Sequence, residues 1–203
     1  APDGRTLVVA NGGIMTHPDK GREKLNLDTM APTVVFLDRE TGDLHASHAL
    51  DASLHQLSLR HMALDGQGRA WVGGQFEGPE TDLPPLVGVF SRDEAPILTE
   101  IPTGIASGLQ NYIGSVTANA SGEVIATSAP RGGQTLFWKA DTGAFLGAEA
   151  IADGCGVAPI DQGSFLISDG NGALSLVENP AQPAEILARP PGISWDNHMF
   201  ALS

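Results

Sequence analysis

Cysteine, basic residues and long apolar runs are all scarce in this chain of 203 residues. A single cysteine, Cys155, excludes an internal disulfide and any multi-cysteine metal site. Lys and Arg number 11 against 24 Asp and Glu, a formal net charge of −13. A chain this acidic repels nucleic acid and anionic membrane surfaces unless a local patch reverses the sign. No apolar run approaches the roughly 18 residues of a membrane-spanning helix. Neither a nucleic-acid partner nor membrane insertion is therefore expected. Amphipathic runs of helix length are also few. No secretory signal opens the chain, but Ala1-Pro2-Asp3-Gly4 reads as the middle of a repeat, so the chain is expected to begin inside a longer protein.

Glycine (25) and proline (14) are abundant, and hydrophobic residues make up 41%. That balance describes a folded protein of many short strands joined by turns. The stretch Ser58–Gly73 reads as strand, tight turn, strand, with Asp65-Gly66-Gln67-Gly68 as the turn. The offset from His61 to Gly68 recurs from Ser115 to Gly122 and from Gly156 to Gly163. Thr41-Gly42 and Thr142-Gly143 repeat a second turn two units of about fifty residues apart. Four strands per unit at this spacing is the pattern of β-propeller blades. The expected fold is all-β, a propeller of four-stranded antiparallel blades, with about four blades in this chain. The units are an incomplete one over 1–50, then 57–102, 112–151 and 154–189, with 194–203 as the inner strand of a further blade. A β-sandwich of two Greek keys is the competing arrangement, but it has no reason to repeat one strand–turn pattern in phase.

Propeller geometry sorts the connections onto two faces. One face takes short turns such as Asp3-Gly4, Asp65–Gly68, Ala120–Gly122 and Asp161–Gly163. The other takes Asn11–Pro32, Gln75–Pro85, Pro102–Asn111, Ala129–Gly133 and Pro190–Ser194, which are long or unusual. Long loops on a rigid scaffold are where binding and catalysis tend to sit. The starts of the inner strands converge on that side. They bring Arg60 and His61, Gly114 and Ser115, Cys155 and Gly156, and Asn197 and His198 to one polar mouth, with Asp196 and Trp195 beside it. Such groups also serve simply as partners for channel water or backbone.

Lys20, Arg22, Lys24, Arg60 and Arg131 map to the long-loop side, and Pro130-Arg131-Gly132-Gly133 sets a guanidinium beside backbone able to face an anion. Arg22, Arg60, His61, Ser115, Arg131, Trp195, Asn197 and His198 are the candidate ligand-binding residues, for a small anionic ligand or a protein partner. Alternatively, Lys20, Arg22 and Lys24 only neutralise Asp19, Glu23 and Asp28 of their own loop. His17, His61, Asp196 and His198 are of the right types for a divalent metal, though no HxH or HxxxH spacing supports a site. Ser115 lacks the GxSxG elbow of a serine nucleophile. Cys155 reads as a small inner-strand residue, and Trp71 and Trp138 as packing between blades. No catalytic residue is assigned. The runner-up to a binding module is a metal-assisted hydrolase of lactonase-like propeller type. A third reading is a scaffold whose long loop only braces blades.

Several stretches resemble a bacterial family catalogued as a domain of unknown function (number 1513). They are Pro2–Ile14, Thr16-His17-Pro18, Gly21–Met30, Pro84–Gly88, Pro130–Gly133, Cys155-Gly156-Val157 and Trp195–His198. The resemblance implies a propeller of about seven blades, of which this chain is the C-terminal part. It also implies export by the twin-arginine route, a periplasmic location, and companionship with iron-uptake and imelysin-like proteins. It supplies no catalytic residues.

Overall fold

Segments of four to eight residues, rich in β-branched and aliphatic side chains and bounded by Asp, Asn, Gly and Pro, form the strands of this chain. A computed structural model describes residues 1–201. Its strands are β1 (Thr6–Asn11), β2 (Thr33–Asp38), β3 (Leu44–Ala49), β4 (Leu57–Leu64), β5 (Ala70–Phe76), β6 (Val87–Phe90), β7 (Ile97–Leu98), β8 (Ser115–Ala118), β9 (Val124–Ala129), β10 (Gln134–Lys139), β11 (Phe145–Ala150), β12 (Gly154–Pro159), β13 (Phe165–Asp169), β14 (Leu174–Val177) and β15 (Glu185–Ala188). One short helical turn, α1 (Thr103–Ala106), lies between β7 and β8.

The strands pair antiparallel as a three-stranded sheet β1-β2-β3 and three four-stranded sheets, β4–β7, β8–β11 and β12–β15, each in sequential order. Inner strands β4, β8 and β12 lie side by side, and β1 runs beside β4 as β5 runs beside β8 and β9 beside β12. These are propeller blades, and β1 occupies the second-strand position of its blade.

The blades are held face to face by apolar side chains alternating along the strands. Trp71 on β5 and Trp138 on β10 are fully buried, with ring centroids 6.5 Å apart. Phe137 meets Phe165 of the next blade at 5.7 Å. Each such buried side chain contributes roughly 1.5–3 kcal/mol. Leu44–Ala49 places His45 outward, but His48 faces in beside Ala46 and meets Phe36 edge-on at 6.0 Å. His45 is the extra residue of a β-bulge, since Phe36 pairs with Ala46 and Leu37 with Leu44.

The short-turn face is built from one repeated device, an Asx side chain accepting the N–H groups of its own turn. Asp65 Oδ1 accepts from Gln67 N and Arg69 N, Asn119 Oδ1 from Glu123 N and Val124 N, and Asp161 Oδ1 from Gly163 N and Ser164 N. The turns also bond to one another. Gly66 N donates to Gly122 O at 3.0 Å and Ala120 N to Asp161 O at 3.1 Å. Gly122 has φ +72°, and a Cβ there would stand 2.3 Å from Gly66 N. Asp65 is a wider hub. Its buried Oδ2 also accepts from Arg69 Nε at 2.8 Å and from the Trp71 indole at 3.1 Å. Arg69 reaches on to Ala140 O of the next blade.

One stretch departs from the sequence expectation. Among the described residues, 194–201 form no strand. The segment runs as an extended strap across the inner-strand starts, with Trp195, Asn197 and Met199 half-buried and Asp196, His198 and Phe200 exposed. A strand needs a neighbouring ladder to satisfy its backbone, and no described strand pairs with this segment. Leu202 and Ser203 of the expected strand lie outside the described residues.

Candidate functional site

The inner strand β4 carries a β-bulge at its start. Leu59 pairs with Gly74 and His61 with Gly73, which leaves Arg60 as the extra residue. Bulges re-aim side chains, and this one turns Arg60 out while its neighbours Ser58 and Leu59 stay buried. A second register shift between Gly154 and Val157 sets Cys155 and Gly156 at the equivalent place on β12. The polar mouth is thus made by local breaks in the ladder.

Arg60 is not free. Its Nη2 lies 3.0 Å from Glu77 Oε1, and its Nε donates to Ser58 Oγ at 3.2 Å. Lys24 pairs with the other Glu77 oxygen. The Glu77 side chain is only 6% exposed, so two cations from separate elements converge on one buried acid. The pair ties the long loop 12–32 to the second blade. Asn26 organises the same loop, with Oδ1 accepting from Met15 N and Nδ2 donating to Gly13 O.

His61 and His198 meet at the mouth, ring centroids 5.2 Å apart and tilted by 46°. Burial, then the neighbouring His198, then Arg60 push the His61 pKa down to about 4, so its imidazole is neutral at pH 7. On the strap, Asn197 Nδ2 lies 3.4 Å from the Tyr112 hydroxyl. Arg131 stacks its guanidinium over the same Tyr112 ring at 4.6 Å, a cation–π contact. Arg60, His61, His198, Asn197 and Arg131 are therefore linked in one chain of neighbours through Tyr112 and the strap.

The remaining candidates stand differently. Ser115 is buried at the start of β8, opposite Ser128. The Trp195 indole donates to Gly172 O at 3.1 Å, which fastens the strap to the fourth blade. Asp196 is exposed and accepts from Asn197 N. Arg22 is exposed on the long loop. His17 caps a turn of that loop through Asp19 N at 3.2 Å, so it has a local structural task. Among the described residues no three of His, Cys, Asp or Glu stand together as a metal-binding group. Of the metal candidates, His61 and His198 are neighbours, but neither His17 nor Asp196 joins them in such a group. Cys155 is buried, its sulfur 3.4 Å from Ser168 O, and burial raises its pKa. Its thiol is that of a packing residue.

Beside the mouth, between the loops of the second and third blades, lies a cleft of about 540 Å³. Lys24, Gln75, Glu77, Gln110, Asn111 and Arg131 line it, with Phe76 as an apolar wall. Arg131 pairs with no carboxylate among the described residues, in contrast to Lys24 and Arg60. Its loop is held by Gln110 Nε2, which donates to Arg131 O at 2.8 Å. Gln110 and Asn111 both take left-handed backbone, φ 51° and 52°, and so turn the chain sharply into the cleft. The reading of the sequence missed Glu77, Gln75 and Tyr112. Glu77 had a signal, an acid directly following an otherwise uncharged strand. Gln75 had none.

The fold and the one-sided mouth define a β-propeller with a polar cleft on its long-loop face. The chain belongs to the family described as proteins of unknown function (DUF1513), whose sequence pattern matches residues 1–202. No curated protein matches the chain.

Proposed function

We propose that this propeller is a binding module that takes a small anionic ligand in the cleft between its second and third blades. The observation that carries this reading is the state of the loop-side cations. Lys24 and Arg60 are consumed by Glu77, Lys20 lies near Glu23, and Arg22 stands exposed on the long loop outside the cleft lining. Arg131 is held in place by Tyr112 and keeps its N–H donors for a partner. A preorganised guanidinium binds an anion with little ordering cost. The proposal includes a periplasmic setting and a link to iron uptake, which rest on the resemblance described above. The alternative of a metal-assisted hydrolase has no gathered ligand set among the described residues to support it.

Ligand-observed NMR with a panel of small carboxylates and phosphates tests the reading. At least one class should bind the native chain. Arg131→Ala should weaken it about tenfold or more, the loss of a charge-assisted hydrogen bond. Equal binding by the variant would remove Arg131 from the site.

A further inference from the structure

The cleft holds more than its cation. Gln75 is 7% exposed and Asn111 8%, and both line the cleft. Asn111 Nδ2 donates to Asp82 O at 2.9 Å, which leaves its Oδ1 without a partner among the described residues. The Gln75 carboxamide has no partner for either end among those residues. The buried side-chain polar atoms without a partner among the described residues are His48 Nε2 and Thr135 Oγ1, so the free amide ends of Gln75 and Asn111 open to the cleft. These open amide ends, facing one cavity, are available to an occupant with paired donor and acceptor groups.

Three features narrow its chemistry. Arg131 is the cleft's unpaired cation, which suits a single negative charge better than a phosphate dianion. Glu77 is already taken by Lys24 and Arg60, and Glu80, the other carboxylate lining the cleft, is exposed, so an ammonium group finds no buried carboxylate of its own. The amides of Gln75, Asn111 and Gln110 offer donors and acceptors side by side, as adjacent hydroxyl groups require. A volume of about 540 Å³ lies within the roughly 300–1,000 Å³ usual for one small molecule.

On top of the binding reading above, we infer that the ligand is a hydroxylated monocarboxylate of sugar-acid size. Arg131 takes the carboxylate, Gln75 and Asn111 read the hydroxyls, and Phe76 packs against the carbon skeleton. Gln75 is the specificity-determining residue, because both ends of its amide are free.

Titration calorimetry on the full chain tests this with three probes: D-galacturonate, galactose and butyrate. Galacturonate should bind, with galactose and butyrate each about tenfold or more weaker. Gln75→Leu should weaken galacturonate about three- to tenfold, one neutral hydrogen bond, and leave butyrate unchanged. Gln75→Glu, which keeps the shape should the leucine variant fail to fold, should weaken galacturonate more than galactose. Butyrate binding as tightly as galacturonate, or no change in galacturonate on altering Gln75, overturns the inference. In that case a loss of butyrate binding in Arg131→Ala would leave the anion-binding reading standing. If no carboxylate binds at all, both fall.

Discussion

Lowering the pH from 7.5 to 5 should weaken this fold through His61. The unfolded chain protonates this imidazole near its ordinary value of 6.5, whereas the folded chain does so only near 4. Between those values the unfolded state binds more protons, so stability rises with pH across the window. The penalty is absent above about pH 7, grows as the pH falls through 6.5, and is complete below about 4. The whole shift corresponds to about 3 kcal/mol. His61 is only half-buried, and water reaching the ring reduces this to about 1–2 kcal/mol. The turn aspartates, whose hydrogen bonds hold their pKa values low, act in a lower range, as the pH falls through the ordinary carboxylate region. Urea unfolding of the native chain and of His61→Gln at pH 7.5, 6 and 5 separates the two. The native chain should lose stability over this range, and the variant should lose about 1–2 kcal/mol less. His198→Gln should act in the same direction, since it removes the neighbour that crowds and repels the His61 cation. An identical pH slope in all three proteins would refute the argument, as would an NMR titration placing His61 above pH 6.

Other predictions concern the scaffold. Asp65→Ala strips Arg69 and the Trp71 indole of a buried partner and should cost about 3–5 kcal/mol in chemical denaturation, while Asp65→Ala combined with Arg69→Met should recover part of that loss; a loss under about 1 kcal/mol would contradict the hub. Gly122→Ala sets a methyl against the Gly66 backbone at a left-handed position and should lower the melting temperature by several degrees, whereas Gly163→Ala, with nothing within 4 Å, should change it little. The native Cys155 should resist a thiol reagent at pH 8 and react only on unfolding; rapid labelling of the folded chain would show the sulfur to be accessible.

The blades were legible in the chain because their signal is local. Asp-Gly, Ser-Gly and Thr-Gly turns at a constant phase, with alternating apolar residues between them, specify hairpins within a few residues. Strands β2 and β10 fall on Thr33–Asp38 and Gln134–Lys139, as those signals predict. The convergence of Arg60, His61 and Arg131 on one face followed from the sorting of long and short connections. The strap over 194–201 was not legible, because whether an extended segment becomes a strand depends on the presence of a ladder beside it.

What the sequence by itself determined is the architecture and the polar side of it. Turn chemistry and strand periodicity are properties of neighbouring residues, and they leave little freedom in how each blade folds. Only the tertiary structure decided which polar groups are already satisfied. Glu77, distant in sequence from Lys24 and Arg60, takes both and removes them from the list of free cations. Tyr112 holds Arg131 ready, and Gln75 and Asn111 are left facing the cleft with unused hydrogen-bonding capacity. Those pairings join residues from different blades and loops, and charge and hydrogen-bond satisfaction depend on distance in space rather than in the chain.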